Sequence, residues 1–240
     1  KLLKGEDPWL MERILSYFNN VDHFSWSSVM TKTDEFLMKN ILGVNSYSRK
    51  FGMGSNDGTK FGLEVHPAFE KILKNKAKPE DYSDDVKKAL KNGLAVLKDL
   101  EKEYPGLKLV CTEVEVKLPL KSLVKYKHDD LTFKGKIDAL YKYDSGYLEV
   151  DWKSSKNDSD TDVTVYKRQL SVYKKMYSID KKIPEDKIKT CLIYVALRGN
   201  ISTGKFGRSK YIGTRDAQVF KTFEKHLQKV LEWRKDPKKF

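Results

Sequence analysis

Two cysteines in 240 residues, Cys111 and Cys191, exclude a disulfide framework and fall short of the four thiolates an iron-sulfur cluster takes. Each lies in an apolar segment that reads as a strand, so both are expected to be buried thiols in a reducing compartment. No apolar run approaches the roughly 18 residues that cross a bilayer, and the opening Lys1 to Pro8 has no apolar signal core. The expectation is an intracellular, cytoplasmic chain with no membrane partner. Internal repeats and low-complexity segments are missing too. Acidic residues are in deficit: 34 Asp and Glu stand against 47 Lys and Arg, a net charge of +13 spread along the whole chain. Fixed positive charge gains from releasing the counterions condensed on a phosphate backbone, so the balance points to a polyanion, although the same lysines also serve solubility.

What is present sorts by period. Residues 8–20 and 28–42 carry apolar side chains at helical spacing, with Trp9, Leu10, Ile14, Leu15 and Phe18 on one stripe and Ser27 or Ser28 as the second N-cap. Residues 46–58 hold three glycines among polar neighbours and read as a loop. Helices are expected over 59–75 and 83–104, the latter stopped by Pro105 and Gly106. The period then becomes two. Val110, Thr112, Val114, Val116 and Leu118 alternate with Cys111, Glu113, Glu115 and Lys117, as in a half-buried strand. Strands over 131–142 and 147–153 follow, joined by a turn from Tyr143 to Gly146 into an antiparallel hairpin. A helix over 163–179, with Val165, Leu170, Val172, Tyr173 and Met176 inward, a strand over 189–197 covered on both faces, and a last helix over 216–234 complete the order. This is an α/β chain with a central mixed sheet flanked by helices. Residues 1–57 form an N-terminal helical region with the glycine-rich loop, and 58–240 form the core.

Side chains two apart on a strand share a face, so Asp151 and Lys153 project together while Trp152 turns away. The hairpin brings Asp138 back beside them. Two carboxylates suit a hard divalent cation such as Mg2+, which keeps several waters and needs few protein oxygens. Lys153 would orient a metal-bound water, help deprotonate it, or offset developing negative charge. Gln169 and Tyr173, four apart, share a helix face, with Lys167 and Arg168 just before them.

The ordered set Gly62 to His66, Gly135 to Asp138, Glu149 to Lys153 and Gln169 to Tyr173 resembles the RecB-like exonuclease branch of the PD-(D/E)XK nuclease superfamily, of the phage or repair type. Some relatives in that branch carry an iron-sulfur cluster, which two cysteines cannot ligate. The resemblance implies a restriction-endonuclease-like core and a metal-dependent nuclease that hydrolyses DNA phosphodiester bonds, as an exonuclease in replication, recombination or repair. It implies that Asp138, Asp151 and Lys153 are catalytic, and that His66, Asp138, Asp151 and the Trp152 carbonyl hold Mg2+ or Mn2+. It also implies that Gln169 and Tyr173 meet substrate; the charges of Lys167 and Arg168 suit a substrate phosphate, or simply a solvated surface. DNA is the implied partner, as single strands or duplex ends, with a helicase or recombination protein beside it. Two other readings stand next to this one: an inactive nucleic-acid-binding module of the same fold, and the nuclease domain of a larger helicase-nuclease. The charge argument does not separate RNA from DNA.

Two weaker motifs fail on their own chemistry. Asp158, Asp160 and Asp162 open like an EF-hand loop, but Val163 stands where glycine is needed and Gln169 where a bidentate glutamate is needed. Gly199 to Lys205 follows a strand like a phosphate-binding loop, yet Phe206 replaces the Ser or Thr that would hold Mg2+. Lys205, Arg208, Lys210 and Arg215 better suit a basic loop on a nucleic-acid backbone.

Overall fold

The computed structural model describes residues 7–43, 56–125, 130–155, 160–196 and 216–239. In chain order its elements are α1 (Pro8–Asn20), β1 (His23–Ser25), the one-turn helices α2 (Trp26–Val29) and α3 (Thr33–Phe36), a π turn (Leu37–Ile41), α4 (Asn56–Leu73), α5 (Asp84–Glu103), β2 (Lys108–Pro119), β3 (Thr132–Tyr143), β4 (Gly146–Ser155), α6 (Asp160–Lys181), β5 (Ile188–Ala196) and α7 (Asp216–Lys235). The chain divides into two compact units. The first comprises Lys1–Gly54, Lys117–Gly135 and Ala217–Phe240; the second comprises Ser55–Val116 and Lys136–Asp216. Residues 117–135 and 217–240 thus group with the N-terminal residues.

In the first unit, Asp7 caps α1 by accepting the Trp9 amide at 3.0 Å, and Pro8 opens the helix, where its missing N–H is not needed. The single helix expected over 28–42 is broken into α2, α3 and the π turn. Its cap is Ser25, whose amide donates to Ser28 Oγ at 2.8 Å. Thr31 then turns its hydroxyl back to the Ser27 carbonyl, the local hydrogen bonding by which hydroxyl side chains compete with a helix. Rings fill the interior. Phe18, Phe24, Phe36, Phe133 and Phe223 are fully buried. Phe18 stacks on Phe36 with centroids 6.3 Å apart, and Phe223 lies flat on Trp26 and edge-on to Phe133 at 5.1 Å. β1 runs parallel to the start of β3, with His23 opposite Thr132.

In the second unit, β3 pairs antiparallel with β4 and β4 pairs parallel with β5, so the sheet is mixed, with helices on its faces. Tyr143 and Gly146 face each other across the expected turn. One sheet face sends Ala139, Tyr141, Leu148, Val150, Trp152 and Ile193 against Phe61, Val65 and Phe69 of α4 and Leu90 and Leu97 of α5. On the other, Leu192 meets Leu170 of α6. Gly93 in α5 is a close-approach position: a Cβ there would lie 2.3 Å from the Phe69 ring. Mid-helix glycine destabilises by roughly 0.5–1 kcal/mol, and here it lets Phe69 lie flat on Trp152, with centroids 4.0 Å apart and planes 9° apart.

Three local expectations are corrected. Glu113 adopts a left-handed backbone (φ 57°), which breaks the alternation of β2 as a bulge does. Before it the pattern is displaced: Val110 is 51% exposed and Cys111 faces solvent, so only Cys191 is a buried thiol. Val165, expected inward, is 39% exposed, because the buried face of α6 is centred on Leu170, Tyr173 and Tyr177. The glycine-rich stretch to Ser55, and Lys205, Arg208, Lys210 and Arg215, lie outside the described residues. Among the described residues no helix is long and apolar enough to cross a membrane.

Candidate active site

The alternation of β4 decides which groups meet. Leu148, Val150 and Trp152 join the packed layer beneath α4 and α5, so Glu149, Asp151 and Lys153 take the opposite face. Ala139 is opposite Val150 in the hairpin, and one residue further Asp138 comes level with Asp151. There the ladder yields to a side chain: the Trp152 amide donates to Asp138 Oδ2 at 2.8 Å. Lys153 Nζ donates to Asp151 Oδ1 at 2.9 Å and lies 2.8 Å from Oδ2. The second contact is an ion pair without hydrogen-bond geometry, leaving Oδ2 buried with no hydrogen bond. His66, on α4, brings Nδ1 to 3.5 Å from Asp138 Oδ2. Asp138, Asp151, Lys153 and His66 thus converge on the Trp152 peptide.

Burial and charge set their protonation. Burial pushes the Asp151 carboxyl up to about 6; Lys153 works against this and the nearby Asp138 with it. Asp138 is also raised by burial, against the pull of Lys153 and the Trp152 N–H. For Lys153 burial alone would lower the value, yet the two carboxylates outweigh it and hold the ammonium above its ordinary range. His66 goes down, through burial and then the Lys153 charge, which favours a neutral ring able to act as a ligand.

The α6 residues divide. Gln169 Nε2 donates to Tyr173 Oη at 2.8 Å, and that phenolic oxygen also meets the backbone of Lys136. Burial raises the Tyr173 phenol, against the Gln169 hydrogen bond, and the Asp151 charge raises it further. Lys167 and Arg168 belong to other flanks, since at about 100° per residue neither shares the Gln169–Tyr173 face.

Three groups at the site carried no role in the sequence reading. The Tyr166 ring lies 5.2 Å from Lys153 Nζ, a cation–π contact that helps hold the ammonium in place. Lys136, two residues before Asp138 and so on its strand face, acts electrostatically on Asp138 and His66. Its i, i+2 spacing was the available signal. Glu149, fully buried with both oxygens unbonded, sits behind Asp151, and its carboxyl is raised well above the ordinary range by burial, with Lys174 opposing.

Among the described residues no group of three or more His, Cys, Asp and Glu side chains is arranged as a metal cage. The donor chemistry nevertheless fits a hard divalent ion: two carboxylates at neighbouring strand positions, one with an oxygen that accepts no hydrogen bond, and an imidazole at the edge.

A model of the PD-(D/E)XK nuclease superfamily matches residues 35–239. The crystal structure of SSO0001 is similar with a TM-score of 0.42 and 13% sequence identity, over 92% of this chain and 84% of that chain. No curated protein matches the sequence.

Proposed function

The chain belongs to the PD-(D/E)XK nuclease superfamily, and from that membership we propose that it hydrolyses DNA phosphodiester bonds with Mg2+ or Mn2+, as an exonuclease of the RecB-like branch in replication, recombination or repair. One observation carries the reading. Asp138 and the Asp151–Lys153 pair, from two strands of one hairpin, meet at the Trp152 peptide.

Asp138, Asp151 and the Trp152 carbonyl would hold the ion, with His66 beside them. A divalent ion there supplies positive charge against the negative charge that builds on the attacking and leaving oxygens. Lys153, kept protonated by the two carboxylates and braced by Tyr166, presents an ammonium to the reacting phosphate. Gln169 and Tyr173, locked to each other, face substrate beside Asp151, and Lys167 and Arg168 add charge to the flanks of α6.

Labelled single- and double-stranded DNA incubated with Mg2+ or Mn2+ tests this. Cleavage is expected with either metal, none with chelator, and a loss of at least about 10³-fold in Lys153→Ala, equivalent to about 4 kcal/mol of transition-state stabilisation, with DNA binding kept. Binding without cleavage by the unaltered chain would mean an inactive module, and cleavage of RNA alone would overturn the substrate assignment. Shortening from the termini, as opposed to internal cuts in a circular strand, checks the exonuclease part.

A further inference from the structure

Lys136 and Glu113 make a contact that the reaction above does not use. Lys136 follows Gly135 on β3 and shares the strand face of Asp138. Its side chain is 59% exposed and ion-paired with Glu113. Glu113 is the one non-glycine strand residue with positive φ among the described residues. Such backbone is uncommon for a residue with a Cβ and gathers where function needs a side chain re-aimed. At this position it interrupts the alternation of β2, and the carboxylate that results stands against Lys136.

Charge on Lys136 is felt at three groups around the site: Asp138, His66 and, on α4, Glu70. Glu70 already accepts from Lys74, and Glu113 is the carboxylate paired directly with the Lys136 ammonium. An exposed lysine–carboxylate pair is held weakly. A phosphodiester oxygen offers the same ammonium a charge-assisted hydrogen bond together with counterion release.

We infer that Lys136 binds a phosphate of the nucleic-acid strand next to the scissile linkage, and that Glu113 is the stand-in anion it gives up when the strand arrives. The inference rests on the nuclease reading and names one more substrate contact for the same site. Glu113 thereby makes binding weaker than Lys136 alone would allow and keeps the lysine oriented when no strand is present.

Anisotropy of a fluorescein-labelled single-stranded oligonucleotide, measured in chelator over a range of salt, tests it without turnover. Lys136→Met should weaken binding roughly tenfold and lower the salt slope by about one ion, and Lys136→Arg should keep both. Glu113→Gln should tighten binding severalfold, and that gain should vanish in the Lys136→Met background. A gain that persists there reflects general charge and overturns the proposal, as do Lys136→Met binding like wild type and both single variants weakening it alike. Thermal melting separates a structural role: the exchanged pair Lys136→Glu with Glu113→Lys should recover stability without recovering binding, and recovery of both would sink the idea. The two readings fail separately. Binding that obeys these rules in a chain that never cleaves removes the nuclease and leaves the phosphate contact; cleavage with affinity indifferent to Lys136 does the reverse.

Discussion

The first unit buries rings and the second buries charges. In the first, five phenylalanines from three separated stretches close on one another, and its ion pairs, such as Arg234 with Asp130, lie toward the outside. In the second, one sheet face is as apolar as that, but the other carries Glu149 and Asp151, and these two and Lys174 of α6 are each under a tenth exposed. Burying a carboxylate that lacks hydrogen bonds opposes folding. The second unit tolerates this because its apolar layer, from Phe69 through Trp152, is packed tightly enough to hold the hairpin regardless. Stability and chemistry are thus assigned to different regions, and on β4 to opposite faces of a single strand.

The largest break in that contrast should come from Phe223→Ala. Removing a fully buried ring that touches Trp26 and Phe133 should destabilise the first unit by about 3–5 kcal/mol. Urea unfolding should show it, while turnover per folded molecule stays within about twofold; an equal fall in kcat would deny the separation. Gly93→Ala is smaller in energy and opposite in kind. Its methyl meets Phe69 at 2.3 Å, so overpacking of about 1–3 kcal/mol is expected, and displacement of Trp152 should lower kcat by more than the melting curve suggests. Unchanged kcat would show that the Phe69–Trp152 stack does not position Asp151.

The smallest effect is shared by both units. Burial pushes the Tyr17 phenol in the first and the Tyr177 phenol in the second up to about 12, from an ordinary value of 10.0. Each folded value lies above the unfolded one, so the contribution is whole below pH 10 and is lost as pH rises toward 12. Urea midpoints should be lower at pH 11 than at pH 9, and Tyr17→Phe should remove the Tyr17 share alone.

Local rules made much of this legible. The turn at Tyr143–Gly146, the period of two on β4 and the i, i+2 step from Asp151 to Lys153 need only neighbours in sequence, and together they locate Asp138 opposite. What sequence did not show depends on distant partners. Nothing local announces that Glu113 turns left-handed and sends Cys111 to solvent, because the carboxylate meets Lys136 on another strand. Tyr166 becomes a brace only when α6 lies over β4. The break of residues 28–42 was written in Thr31 and Ser28, whose hydroxyls serve the backbone, but apolar spacing alone concealed it.

The three-piece make-up of the first unit bears on how the polypeptide is born. A chain leaving the ribosome exposes Phe18, Phe24 and Phe36 early, and Phe223 and Trp233 arrive only when α7 has been translated. The sheet carrying the acidic cluster, whose strands are all made by Ala196, is ready sooner. Until α7 has been translated, the early phenylalanines stand uncovered, the circumstance in which nascent chains recruit chaperones.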